Sequence, residues 1–173
     1  MMKRPESNEY NPYFQLYIDL VPDGDFFNLF TQNTIEVIRF FENIPTNKHN
    51  YRYAENKWTI KAVLMHIIDT ERIFSYRALV AARGDNITQI QTYDDDAYAR
   101  NVDVTNRSME SLLEEFKAVR KSAEILFENL TDDQSKFMAN AVNYKITSRA
   151  LAYIMIGHIQ HHLNVVKERY LKS

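Results

Sequence analysis

Residues 146–171, ITSRALAYIMIGHIQHHLNVVKERYL, decide the fold. They read as one long helix. Thr147 is placed to cap its start, the hydroxyl accepting from a first-turn backbone N–H. Leu151, Ile154, Met155, Val165 and Val166 recur at helical spacing and form an apolar stripe. His158 falls inside that stripe. His162 lies one turn on, about 40° around a 3.6-residue helix. Two imidazoles at i and i+4 leave one face and can share a cation, as in the HExxH zinc helices. His161 offers a competing pair with His158 at i and i+3, and the stripe admits both. Either pair is only two ligands. A catalytic zinc site takes about three and keeps a position open, so the third must come from elsewhere in the chain.

The next helix to consider is predicted over residues 59–83, with Thr59 as N-cap and Gly84 past its end. Ala62, Val63, Ile73, Phe74 and Val80 turn one face to the core, and His66 lies within that face. A lone histidine there is ordinarily a core residue hydrogen-bonded to a neighbour. A second helix carrying two more histidines on its own apolar face changes the balance. Three neutral imidazoles buried without partners would cost on the order of 1–3 kcal/mol each; one cation satisfies them together. Asp69 and Thr70, three and four residues after His66, lie near the same side. Asp69 could orient a histidine or act as a base, or it could be a helix charge paired with a lysine or arginine. Arg77 lies about 20° from His66 around the helix, three turns on. It suits an anionic substrate at the mouth of the bundle, or a side chain that extends to solvent.

Two further long helices are predicted at 25–42 and 108–130. The first carries Phe26, Phe27, Phe30, Ile35, Ile38 and Phe41 and is stopped by Pro45. The second carries Met109, Leu112, Leu113, Phe116, Val119, Ala123, Leu126 and Phe127 and reads as purely structural. Thr131 to Gln134 has the form of a capping box. In the link 140–145 and just after it, Val142, Tyr144 and Ile146 alternate as in an extended piece. His49 lies in a polar loop and reads as solvated. The tail 1–22 is too aromatic for a free linker, so it should pack on the body; it carries no evident chemistry. Residues 84–106 have no clear period, and connections that long are usually functional or disordered. Tyr93 and Tyr98 favour an ordered loop bordering the pocket, with Asp94 and Tyr98 covering the site; Asp94, Asp95 and Asp96 equally fit a solvated run. Four long helices with one long connection predict an all-α four-helix bundle in a single domain, 1–173.

Composition narrows the function classes. The 173 residues contain no cysteine, which excludes disulfides, thiolate metal sites and a cysteine nucleophile. A formal charge of −2 gives no basic field for nucleic acid. Three glycines leave no phosphate-cradling loop. No run of 18 apolar residues marks a membrane span. These features predict a soluble, cytoplasmic protein acting on a small molecule. The apolar surface of the tail and the helix stripes predicts a homodimer.

With these residues in view, the chain resembles the DinB-like superfamily, in particular the YfiT-like group of metal-dependent hydrolases that includes bacillithiol S-transferases. The resemblance is carried by WTIKAVLMHIIDTERIFSYR at 58–77, YDDDAYARN at 93–101 and GHIQHHLNVVKERYL at 157–171. It implies a four-helix bundle in which three histidines hold a divalent metal, often nickel or zinc: one from the second helix and two from the HxxxH of the last. Those are His66, His158 and His162, so the resemblance favours His162 over His161. It also implies a low-molecular-weight thiol as cosubstrate, since such an ion can hold a thiol deprotonated near neutral pH or activate water. The alternative it leaves is a metal-binding or stress-related module on the same bundle, without catalysis.

Overall fold

In the computed structural model, residues 2–141 and 144–172 are described. The chain opens with two 3-10 turns, Ser7–Glu9 and Pro12–Phe14, and a single-turn helix α1 (Gln15–Ile18). Helix α2 (Phe26–Glu42) starts where Asp25 accepts from the Asn28 N–H at 3.0 Å. Helix α3 (Ile60–Ala82) starts where Thr59 accepts from Ala62 N–H at 3.1 Å. A short strand β1 (Gln89–Ile90) and a helix α4 (Asp95–Asn101) occupy the long connection. Helix α5 (Met109–Glu128) is capped by Ser108, and α6 (Asp132–Lys136) by the Thr131–Gln134 box. Strands β2 (Met138–Ala141) and β3 (Tyr144–Thr147) then lead into α7 (Ser148–Val165), capped by Thr147. In each case a side-chain oxygen satisfies an N–H that the helix cannot satisfy itself.

The four long helices are the predicted ones. α3 packs against α5 and α7, and α2 packs against the same two, which closes the bundle. The last helix differs at its end. α-Helical turns stop at Val165 and a π-turn, Val166–Tyr170, follows. Tyr170 is buried there, its hydroxyl donating to the Trp58 carbonyl at 2.9 Å. The link before α7 is more ordered than an extended piece. Its two strands join β1 in a three-stranded sheet of order β1-β2-β3, in which β2 runs parallel to β1 and antiparallel to β3, Met138 pairing with Thr147 and Gln89 with Asn140. Val142, part of the alternation expected there, lies outside the described residues.

The N-terminal segment is held down tightly. Glu9 is buried and accepts from Thr147 Oγ1 at 2.8 Å and Arg149 Nε at 2.7 Å, with Arg149 Nη2 on its other oxygen. Burial works against its charge, but the arginine and hydroxyl contacts win and hold its carboxyl below the ordinary value. Tyr10, Phe14, Ile18 and Val21 are buried in the same apolar cluster as Phe26, Phe74 and Leu151. The expectation of a dimer rested partly on this tail, of whose apolar side chains Tyr10, Phe14, Ile18 and Val21 are buried within their own chain while Tyr13 and Leu16 are exposed. The segment lies against α7 backbone to backbone. A Cβ built on Gly157 would lie 1.9 Å from the Tyr17 carbonyl oxygen.

A second apolar cluster, with Phe41, Leu64, Ile67, Leu112, Phe116, Ile159 and Leu163, fills the other end of the bundle. Between α2, α3 and α5 sits a buried polar tie. Arg120 meets Glu71 at 3.3 Å, donates to Asn33 Oδ1 at 2.8 Å, and lies 4.0 Å over the Phe30 ring. Burial pushes the Glu71 carboxyl up, opposed by the guanidinium. No helix of the described residues is long and apolar enough to cross a membrane.

Candidate metal centre

α3 and α7 pack along their histidine faces. His66 lies two turns into α3. On α7, His158 falls between Ile156 of one apolar cluster and Ile159 of the other. His66 and His158 are each only 6% exposed, and His162 is partly buried. Their Nε2 atoms form a small triangle: His66 to His158 at 3.0 Å, His66 to His162 at 3.1 Å, and His158 to His162 at 3.0 Å.

Hydrogen bonding alone cannot satisfy this triangle. Each neutral imidazole presents at Nε2 either an N–H or a lone pair. With two states shared among three atoms, at least one pair must be alike, two donors or two acceptors, at about 3 Å. Protonating a ring adds a donor but also a charge in a buried site. A shared cation removes the conflict, because all three nitrogens then present lone pairs inward. The spacing fits as well: nitrogens about 2.1 Å from a common ion and about 90° apart lie about 3.0 Å from one another.

The surroundings keep these rings neutral. Burial lowers His66 to about 4, against a partial pull upward from Asp95 and Asp96. His158 is held well below its ordinary value, first by burial and then by His162, His66 and His161. His162 follows for the same reasons. Aromatic rings supply much of that burial: Trp58 lies 4.7 Å from His66, and Tyr17 and Phe74 lie 5.5 and 6.0 Å from His158.

A pH dependence follows. Unfolded, these histidines take up protons near pH 6.5. Folded, His66 resists until about 4. Between those values the unfolded state binds more protons, so stability rises with pH across the window and is lost as pH falls through it. Chelator-treated protein is expected to lose on the order of 3 kcal/mol from His66 alone between pH 6.5 and 4. Denaturant titrations at several pH values check this; a flat profile would mean the rings are not buried in the neutral form.

The remaining histidines and the acidic and aromatic candidates lie outside the triangle. His161 is half-buried, edge-on to Tyr17 at 5.7 Å and outside the triangle. His49 is half-buried rather than solvated, with Nε2 3.0 Å from the Ile44 carbonyl oxygen. Asp69 pairs with Arg72 at 3.3 Å, and Arg72 also holds Glu115 at 2.6 Å, so Asp69 belongs to a surface charge network on the α5 side. Asp94 caps α4 by accepting from Ala97 N–H at 2.8 Å. Tyr98 is about half exposed and packs on the Tyr93 ring at 5.2 Å.

A cavity of about 380 Å³ opens beside the triangle, bordered by His66, His158, Tyr17, Thr70, Arg77 and Tyr93, with Asp95 at its edge. The long connection thus reaches the cavity through Tyr93 and Asp95, not through Asp94 and Tyr98. Thr70 Oγ1 and Tyr93 Oη lie 2.7 Å apart, which ties the connection to α3. Tyr17, from the tail in which no chemistry was evident, also lines the cavity. Only the density of aromatic residues in that tail hinted that it packs on something.

The model of the DinB superfamily matches residues 29–166 of the chain. No curated protein matches. Among solved structures, the chain is similar to YfiT from Bacillus subtilis, described as a probable metal-dependent hydrolase with an unusual four-helix bundle topology. The TM-score is 0.74 at 16% identity, covering 98% of this chain and 93% of that one. That likeness is one of fold.

Proposed function

We propose that this chain, which belongs to the DinB superfamily, is a metal-dependent enzyme that acts on a small molecule, by thiol S-transfer or by hydrolysis, at His66, His158 and His162. The observation that carries this reading is the triangle of Nε2 atoms at 3.0–3.1 Å, which hydrogen bonds alone cannot satisfy. The cavity beside it supports an enzyme over a mere storage site, and the description of YfiT as a probable metal-dependent hydrolase is consistent with it. An all-imidazole donor set suits zinc or nickel.

Bound there, a divalent ion keeps its full positive charge against three neutral ligands and supplies Lewis acidity, enough to hold water or a thiol deprotonated near neutral pH. The chain's own residues supply position and dryness. Trp58, Tyr17 and Phe74 exclude water around the imidazoles. Burial raises the Tyr93 phenol above its ordinary value, so it stays protonated and Oη can donate to a group in the cavity or to Thr70.

The test is metal analysis of the purified protein, followed by incubation of low-molecular-weight thiols with 1-chloro-2,4-dinitrobenzene, and of a panel of simple esters and amides. Mass spectrometry of the products separates thioether formation from addition of water. We expect one divalent ion per chain and turnover that a chelator abolishes and metal restores. A protein that binds no metal overturns the site. One that binds metal but turns over neither panel above the metal-only blank is a binding module.

A further inference from the structure

Arg77 sits in the cavity wall of α3, eleven residues and about 16 Å of helix rise beyond His66. It is 5% exposed, so it does not reach out to solvent. Nη2 donates to the Gln91 carbonyl at 3.0 Å, while Nε is buried with no hydrogen-bond partner among the described residues. None of the ion pairs among the described residues involves Arg77, and the Phe74 ring 5.8 Å away offers only weak compensation. A guanidinium cannot shed its proton in a protein, so a buried one calls for a partner. The other buried arginines illustrate this: Arg120 has Glu71 and Arg149 has Glu9.

We infer that the cavity takes a small molecule carrying a carboxylate, and that Arg77 binds that carboxylate while the reacting end lies toward the histidines. The second half rests on the metal-dependent reading above. A carboxylate fits better than a phosphate dianion because Arg77 is the one cationic side chain among the described residues lining the cavity, and Asp95 adds negative charge there. The cavity is also polarised. Its wall carries one carboxylate, Asp95, and one guanidinium, Arg77. Arg77 therefore favours a carboxylate at its own end of the cavity, and Asp95 opposes one beside itself. Nε and a neighbouring Nη present the forked geometry that a carboxylate accepts with both oxygens. Phe14 and Phe74, with Tyr144, form an apolar stretch of wall suited to a hydrocarbon body.

The experiment has two arms. In the first, sodium hexanoate and 1-hexanol are titrated into chelator-treated protein and followed by NMR shifts, for wild type, Arg77→Met and Arg77→Lys. Wild type should bind hexanoate at least about tenfold more tightly than hexanol. Arg77→Met should abolish that preference, and Arg77→Lys should keep part of it. In the second, 6-mercaptohexanoate and 6-mercapto-1-hexanol are titrated into nickel-loaded protein while thiolate-to-nickel charge-transfer absorption is read. The acid should saturate at a concentration about tenfold lower than the alcohol, and Arg77→Met should equalise them. Equal affinities in wild type, or a preference that survives Arg77→Met, overturn the anchor. If Arg77→Met does not fold, the wild-type comparison and Arg77→Lys still decide. Charge-transfer bands with equal affinities remove the anchor and leave the metal reading standing. A hexanoate preference in protein that never binds nickel does the reverse.

Discussion

Alanine at His66, His158 or His162 is expected to empty the site of divalent metal, each change alone lowering affinity by more than about a hundredfold. Loss of an outer partner that merely orients a ligand already costs about 10–100-fold, and loss of a ligand costs more. The three positions should behave alike because the three Nε2 contacts are equal within 0.1 Å. His161→Ala and His49→Ala should retain wild-type metal content, since one ring packs on Tyr17 and the other is held at the Ile44 carbonyl. Metal per chain, measured by plasma mass spectrometry after gel filtration, checks this. His161 is the discriminating control. If His161→Ala empties the site while His162→Ala keeps the ion, α7 presents a different face from the one described here.

Gly157→Ala is expected to destabilise the protein by about 4 kcal/mol or more, a fall of about 10 °C in melting temperature. In an ordinary helix interior the same change stabilises by nearly 1 kcal/mol, so the sign itself is diagnostic. The new methyl would stand 1.9 Å from the Tyr17 carbonyl oxygen and 2.5 Å from its carbon. Both are backbone atoms of a segment anchored at Glu9 and buried through Phe14 and Ile18, so it cannot yield by a rotamer change. Either the segment lifts or α7 shifts, and both disturb the wall of Tyr17 against His158. Hydrogen exchange over residues 10–21 separates the two responses. A variant that melts at or above wild type would show that the close approach is not needed.

The long helices were legible because each combines a cap residue with an apolar stripe, two signals that agree. The histidines stood out because each sits where the stripe demands an apolar residue, and a polar group in such a place needs a reason. The short elements were not legible. YDDDAYARN reads as a charge run, yet Asp94 is a helix cap and Asp95 and Asp96 are first-turn acids, a distinction that depends on whether a helix of only 7 residues forms. The sheet depends on Gln89 meeting Asn140 across 51 positions, which no local pattern encodes. Asp69 and Arg77 are both polar residues on α3, and spacing alone cannot tell which one faces the cavity. Packing decides it: α5 brings Glu115 and, through it, Arg72 to Asp69, while Arg77 is covered by the connection after α3. Gly157 gave no sign of its role, because the backbone it admits lies 140 residues earlier.

The tie between Glu71 and Arg120 bears on assembly as well as packing. Apolar helix faces tolerate sliding better, because swaps of similar volume such as leucine for isoleucine cost little. A buried ion pair does not tolerate it. Sliding α3 by one turn would shift it by about 5.4 Å and leave a carboxylate and a guanidinium buried apart, at several kcal/mol. The same slip would carry His66 out of reach of α7, since His66 lies five residues before Glu71 on the same rigid helix. The pair therefore acts as an alignment pin. The register that keeps Glu71 beside Arg120 is the same one that sets His66 opposite His158 and His162.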